Sequence, residues 1–442
     1  MKKYIFFLMC CLTIPARFLS AQDTAWIRKI ICDLSSPDMY GRGYSYQGDR
    51  KAALYIEQLL KETGIPPLEE SYFQPYQFPA FSMEGKVYMA VNKKELDPFD
   101  QYRIAPFSKS LREKNIPIIH ADPMLFLQEN KMSDFLQKYR NKLRSSLIYL
   151  DMTSISSERK EDGKLISRIL EYISMQQNNP FLSKGFLIGV NELPSWGLSH
   201  TDYERSFAFI HVLASEITPK TKSADIEYTN RLMPHTTQNI NAFLPGTVYP
   251  DSLIILTAHY DHLGSMGEAV IFPGAHDNAS GTATVLGLAR YFKEHPAPYS
   301  LVFCFFSGEE AGLRGSMHFI ENLPVKAEQI KAVLNFDLLC GGDDGIMLVN
   351  GTEGKSAELF SRLKVLNEQY HYLPAVKARN NAPNSDHYPF TMKNIPALFL
   401  YTLGGKSGGY HQYTDTCDRC SLNAWENIFR VVTVWIEDLM KP

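Results

Sequence analysis

The chain has 442 residues, 45% of them hydrophobic and 21% charged, with a formal charge of only −3 at pH 7. Such a length allows a large core and two or three domains. A near-neutral balance without a basic patch argues against a nucleic-acid partner, and no repeat or low-complexity tract points to a fibrous or disordered class.

In chain order, residues 1–21 place Lys2 and Lys3 before an apolar run from Tyr4 to Pro15 and end on the small residues Ser20 and Ala21. This reads as a secretory signal cleaved after Ala21, with export to the periplasm or the exterior. An uncleaved anchor is the alternative, but the run is shorter than the ~20 residues a span requires, so no membrane span is expected in the mature chain. Bulky Met9 argues against lipid attachment at Cys10 or Cys11. Cleavage leaves Cys32, Cys304, Cys340, Cys417 and Cys420, an odd set that suits a full disulfide framework poorly. Cys304, inside an apolar run, is expected to be a buried small hydrophobe. The lone CxxC of Cys417 and Cys420 leaves a local disulfide or free thiols open, and lacks a second pair to complete a thiolate metal site.

The start of residues 22–97, through SSPDMYGRGYSYQGDR at 35–50, reads as irregular, and KAALYIEQLLKETGIPP follows. There Ala53, Ile56, Leu59 and Leu60 share one face and Gly64 and Pro66 end the run, predicting an amphipathic helix. Across 98–223, polar helical segments such as MSDFLQKYRNKLR and DGKLISRILEYISMQ alternate with the strand-like SSLIYLDMT, KGFLIGV and SFAFIHVLA. This predicts an inserted accessory α+β domain. His120, His200 and His211 are scattered singly there and are read as surface or packed histidines.

The main domain is assigned to 224–442. QNINAFLPG and SLIILTAHYDH predict a hairpin through PGTVYPD. Helix TATVLGLARYFKEH, strand YSLVFCFFS, helix GLRGSMHFIENL and strand KAVLNFDLL then alternate, and a last helix carries Leu422, Trp425, Ile428, Phe429, Val432, Trp435, Ile436 and Leu439 on one face. The alternation predicts an α/β fold with a mixed, mostly parallel central sheet flanked by helices.

Several apolar runs of this domain stop at ionisable residues: His259, Asp277, Glu309, Glu310 and Asp337. Buried strands of an open α/β sheet deliver functional groups at their carboxyl ends. Imidazoles and carboxylates together suit zinc, and two ions can share a carboxylate and a water. Neighbouring side chains in an extended turn point in opposed directions, so Glu310 is expected to hold metal while Glu309 takes the proton of a water. Asp261, two residues after His259, is expected to fix that ring's tautomer.

The series HYDH at 259, GAHDNASG at 274, SGEEAGLRGS at 307, NFD at 335, SDHYPF at 385 and YHQYTDT at 410 resembles the M28 family of co-catalytic zinc peptidases. GRGYSYQGDRKAALYIEQLLKETGIPP resembles that family's opening segment, and 98–223 stands where many members carry a protease-associated insert. The resemblance implies that His259 and Asp337 bind one zinc, Glu310 and His411 the other, and Asp277 bridges them, with cobalt or manganese also compatible. It implies Glu309 as general base and then acid, Asp261 as support, and Asp386, His387 and Tyr410 at the substrate rim. One departure is HYDHLG in place of HxDS: Leu263 follows an additional His262, which could compete for metal but is expected to be structural at the rim. An exported aminopeptidase or dipeptidase acting on peptides or proteins leads the readings. Alternatives are a glutamate-releasing carboxypeptidase, which needs an arginine patch that neither Arg314 nor Arg379 can be assigned to, a single-zinc glutaminyl cyclase, and an inactive binding module. Retention of His259 and HDNASG favours two metals.

Overall fold

Ile27, Ile30, Ile31 and Leu34 recur at spacings of three and four and are all fully buried, which makes residues 21–34 an amphipathic helix where an irregular start was expected. The computed structural model describes residues 21–407 and 409–439, so the expected secretory segment lies outside the described residues up to Ala21, the first residue of this helix, α1 (Ala21–Leu34). Tight turns over 37–47 lead to α2 (Gly48–Glu62), which buries Ala52, Ala53, Ile56 and Leu60.

Two long strands, β1 (Phe73–Val91) and β8 (Ser223–Leu244), pair antiparallel along most of their length. Between them the chain forms β2 (Lys94–Glu95), β3 (Tyr102–Ile104), β4 (Leu111–Ala121), α3 (Glu129–Tyr139), β5 (Leu147–Asp151), α4 (Lys160–Ser174), β6 (Gly185–Val190) and β7 (Ala208–Leu213). β4, β5, β6 and β7 run parallel, and Ile148, Leu150, Ile166, Leu170 and Phe186 lie in a core of their own.

After β8 come β9 (Tyr249–His259), the short β10 (Ser265–Met266) and β11 (Val270–Ile271), α5 (Ser280–Glu294), β12 (Tyr299–Phe306), α6 (Arg314–Glu321), β13 (Ile330–Phe336), β14 (Gly345–Val349), α7 (Gly354–Tyr370), β15 (Val376–Arg379), α8 (Tyr388–Met392), β16 (Ala397–Leu403) and α9 (Trp425–Leu439). Among the described residues fourteen strands join one sheet, in the order β15-β14-β16-β13-β9-β12-β8-β4-β5-β6-β7-β3, with β1 paired to β8 and β2 to β1. The first half of β8 pairs with β4 and the second half with β12, so one strand carries both parts of the sheet.

At the centre, β12, β9, β13 and β16 are mutually parallel. Their side chains alternate between two cores: Ile254, Leu256 and Ala258 face α1, α5 and α9, whereas Leu253 and Ile255 face Phe319 and Phe390 of α6 and α8. Burial on both faces explains why these strands read as unbroken apolar runs. The expected hairpin of β8 and β9 does not form, because β12 lies between them. The connection at 245–248 instead crosses the start of β12, where Thr247 N donates to Ala297 O at 3.0 Å and Gly246 N to Ser300 Oγ at 2.9 Å. Its five steps from Leu244 to Tyr249 reach about 16 Å when extended, enough to pass a strand whose neighbours sit ~9.6 Å apart.

Candidate active site

The carboxyl ends of β9, β12 and β13 and the start of α5 bring the sequence-predicted acids and histidines together. β9 ends at His259, which is fully buried; its Nε2 lies 3.5 Å from Asp277 Oδ1 and 3.3 Å from Asp337 Oδ1. Asp277 precedes α5, and its other oxygen, Oδ2, lies 3.3 Å from His411 Nε2. The same nitrogen is 3.4 Å from Glu310 Oε2. Asp277 thus turns one oxygen to each of two donor groups.

These spacings test whether the residues fit metal. Tetrahedral zinc with bonds of about 2.0–2.1 Å separates its ligand atoms by about 3.3 Å, and the four contacts fall at 3.3–3.5 Å. Proximity alone also groups His259 with Glu309 and Asp337, and His262 with Asp277 and Glu310. However, His262 Nδ1 stands 2.7 Å from Glu310 Oε1, a hydrogen-bond length rather than an edge between two ligands. Asp337 Oδ1 is buried and accepts no hydrogen bond, although His259 Nε2 stands 3.3 Å away, the relation of two donors directed at one ion.

The supporting contacts orient each group. Ser385 Oγ donates to Asp337 Oδ2 at 2.8 Å, Asn335 Nδ2 donates to Ser385 Oγ at 2.8 Å, and Thr257 Oγ1 donates to Asn335 Oδ1 at 2.8 Å. Asp415, four residues after His411, accepts from His276 N at 2.9 Å and Asp277 N at 3.1 Å, which fixes the turn bearing Asp277. Arg42, fully buried, donates to the carbonyls of Leu34, Tyr260, Pro273, Gly274 and Asp277. Its charge faces the acids, and burial, opposed by Asp277, Asp415, Asp261 and Glu310, leaves its pKa at about 10.

Asp261 differs from expectation. His259 Nδ1 meets the main-chain carbonyl of Asp261 at 3.2 Å, while the carboxylate stands 3.8 Å away. The carbonyl therefore sets the tautomer. The carboxylate instead accepts from Tyr44 OH at 2.7 Å and from the peptide nitrogens of Glu309 and Glu310 at 3.3 and 3.4 Å. It holds the backbone of the two glutamates, and burial raises it to about 6 against the pull of His259.

Charge is unevenly divided between those glutamates. Burial lifts Glu309 well above the ordinary carboxylate range; His259 opposes this, and Glu310, Asp386 and Asp337 add to it. Glu310 goes the other way: burial would raise it, but His411 and His262 hold it well below that range. Burial would lower His259, and Asp337, Glu309 and Asp277 outweigh it, raising that ring well above its usual value. His411, likewise opposed by burial, is raised to about 10 by Glu310 and Asp277. So much buried negative charge requires positive compensation.

Two expected rim residues lie inside the protein. Asp386 and His387 are fully buried. Ser316 Oγ donates to Asp386, and His387 Nε2 meets Asn381 Oδ1 at 3.1 Å. Burial pushes Asp386 up to about 7 and His387 down to about 3. The segment SDHYPF reaches the centre through Ser385. His262 is also fully buried rather than at the rim. Tyr410 is 55% exposed, its ring stacked on His411 at 3.7 Å.

The loop carrying His411 and Asp415 is tied down by two disulfides, Cys32–Cys417 and Cys340–Cys420. Both halves of the CxxC thus pair with distant partners, not with each other, because the loop runs between α1 and the end of β13. Cys304 is free and buried, as its apolar run predicts. From the other side, residues 196–202 pass over the site as a strap. Trp196 stacks on Phe272 at 4.8 Å, His200 Nε2 meets Glu310 O at 3.2 Å, and Asp202 pairs with Arg314 at 2.9 Å. Sequence reasoning did not single out Arg42, Tyr44, Asp415, Ser385 or this strap. The first four stand within GRGYSYQGD, TDT and SDHYPF, segments noted only for resemblance. The strap carries no signal of its own.

The fold is thus α/β, with a histidine and carboxylate donor set suited to metal at the carboxyl ends of its central strands. Residues 239–436, somewhat less than half of the chain, match the profile of Peptidase family M28. Aminopeptidase YwaD of Bacillus subtilis (strain 168) is 31% identical over 215 residues, 47% of this chain and 45% of that protein. A probable leucine aminopeptidase of Arthroderma otae is 30% identical over 207 residues, 44% of this chain and 54% of that protein. The chain spans about half the length of these curated relatives. The solved zinc aminopeptidase from Bacillus subtilis shares the fold over 95% of this chain and 95% of its own, with a TM-score of 0.67 at 16% identity. The aminopeptidase from Aneurinibacillus sp. strain AM-1 does so over 95% and 94%, with a TM-score of 0.62 at 18% identity.

Proposed function

We propose that the chain is an exported metallopeptidase that removes residues from the amino ends of peptides. The observation that carries this is Asp277, whose two oxygens face two separate imidazole–carboxylate groups at 3.3 and 3.5 Å. In this reading His259 and Asp337 hold one zinc, His411 and Glu310 the second, and Asp277 both. When bound there, zinc supplies Lewis-acid polarisation of the scissile carbonyl and acidifies a water.

The chain's own residues do the rest. Glu309 remains partly open while its neighbours are closed in; it takes a proton from the attacking water on a carboxylate oxygen and returns it to the leaving amine. A carboxyl whose affinity for protons is raised by burial suits a group that must alternately accept and release one. Asp261 keeps Glu309 and Glu310 in register by holding both peptide nitrogens. The strap at 196–202, lent by the accessory part at 98–223, closes one side of the site and favours chain ends over mid-chain bonds. The aminopeptidase names of the relatives support the amino end. Two disulfides support export, as does the N-terminal signal pattern. No helix among the described residues is long and apolar enough to cross a membrane.

The test is a panel of aminoacyl, N-blocked and N-terminal glutamine peptides with and without a chelator. Chelator-sensitive release from free amino ends is expected. Equal turnover of blocked peptides would refute the amino-end reading, ammonia release from glutamine would indicate cyclisation, and indifference to chelator would remove the metal.

A further inference from the structure

His262 stands outside the ligand set assigned above, yet none of its surface is exposed. Its Nδ1 lies 2.7 Å from Glu310 Oε1 and 3.8 Å from Asp277 Oδ2. A carboxylate only accepts, so the short contact is attractive when Nδ1 carries the proton. Two ligands of one tetrahedral zinc would stand about 3.3 Å apart, so Nδ1 and Oε1 do not share an ion.

The ring is fixed in place. Its peptide nitrogen donates to Arg42 O at 3.3 Å, and a Cβ on Gly274 would come within 2.4 Å of its Cδ2, so the backbone there lies directly against the imidazole. Glu310 is thereby gripped twice, at its peptide nitrogen by Asp261 and at Oε1 by His262. That leaves Oε2, 3.4 Å from His411 Nε2, as the oxygen turned toward the second donor group.

We propose that His262 is a positioning residue for the second zinc: by donating Nδ1–H to Glu310 Oε1 it restricts that carboxylate to a single coordinating oxygen. This rests on the two-zinc reading. A partner of a ligand that is removed typically weakens metal binding about 10–100-fold. The full chain, stripped of metal, is titrated with zinc by calorimetry as wild type, His262→Asn and His262→Gln. Both substitutions are polar and of similar size; the Asn amide nitrogen occupies the place of Nδ1, whereas the Gln amide reaches the Nε2 side.

Wild type is expected to bind two ions. His262→Gln should keep one affinity and lose about 10–100-fold in the other, and His262→Asn should recover most of that loss. Two wild-type affinities in His262→Gln would overturn the proposal while leaving the two-zinc reading intact. Equal weakness of both variants would overturn it by making an imidazole nitrogen the ligand itself. A wild type that takes up a single ion would sink both.

Discussion

Asp415→Asn is the sharpest test of how the His411 loop is tied to the rest of the centre. The Asp415 carboxylate is fully buried and accepts from two peptide nitrogens, His276 N through both oxygens at 2.9 and 3.0 Å and Asp277 N through Oδ2 at 3.1 Å. An asparagine can present its oxygen to only part of this set. With oxygen at Oδ2 it keeps Asp277 N, but its NH2 then faces His276 N–H; flipped, it loses Asp277 N altogether. Hydrogen bonds to a charged acceptor contribute about 1.5–3 kcal/mol against about 0.5–1.5 for a neutral one, so two weakened bonds and one facing donor pair cost about 2–4 kcal/mol. Removing a negative charge from an acid-rich cluster works in the opposite direction in metal-free protein. The loss should therefore be larger in the zinc-loaded protein. Because Asp277 faces both donor groups, both zinc affinities should fall, unlike the single affinity expected to fall when His262 is changed. Chemical denaturation with and without zinc, paired with zinc titration, measures both. Wild-type affinities and a stability change within about 0.5 kcal/mol, the range of an indifferent surface site, would refute the reasoning.

Glu309→Gln should retain zinc and lose about 10²–10⁴-fold in kcat, the usual share of a general base; wild-type turnover would strip Glu309 of that part. Replacing Cys340 and Cys420 by alanine opens a link spanning 80 residues of sequence, for which chain entropy predicts a loss of about 4–5 kcal/mol; an unchanged denaturation midpoint would contradict it. Gly197→Phe should fold normally, since the nearest atom to a Cβ there is His411 Nδ1 at 3.9 Å. It should lower kcat/KM for bulky amino-terminal residues more than for alanine, and equal effects on both would separate the strap from substrate selection. His211 is held at about 4 by burial and by Arg103. The unfolded chain gains this proton near pH 6.5 and the folded chain only near 4, so stability falls as pH drops through that window, by on the order of 3 kcal/mol. His387, held at about 3 by burial, acts in the same direction. His211→Gln should flatten part of the slope, and an unchanged slope would exclude His211 as a source.

The central strands were legible because burial on both faces leaves β9, β12, β13 and β16 with little but Ile, Leu, Val, Phe and Ala, and such runs cannot be mistaken for loops. Where they stop, the next ionisable residues stand at the crevice, and that pattern nominated His259, Glu309, Glu310 and Asp337. The helices at 48–62 and 425–439 followed from apolar spacing in the same way. What failed depends on contacts distant in sequence. No local signal tells β8 and β9 that β12, 40 residues later, will come between them. A CxxC motif reports two nearby thiols and nothing of Cys32 or Cys340. The helix at 21–34 carries its apolar stripe plainly, and the Gly-, Ser- and Asp-rich stretch after it drew the whole start toward an irregular reading.

The same division runs through the site. A side chain whose role is to offer an atom to zinc is drawn from His, Asp, Glu and Cys, so residue type narrows the choice before geometry is known. A side chain that orients another has no such restriction: Arg42 does it with five carbonyls, Asp415 with two peptide nitrogens, Ser385 with one hydroxyl. Asp261 shows how the two kinds are confused. Its place two residues after His259 suggested a carboxylate on the ring, yet the turn brings its carbonyl to Nδ1 and frees the carboxylate for Tyr44 and for the glutamate backbone. If so, Tyr44→Phe, which removes one donor from Asp261 without touching His259, should disturb Glu309 and so kcat while leaving the affinity of the His259 zinc unchanged. A parallel fall in that affinity would return Asp261 to the part first expected of it.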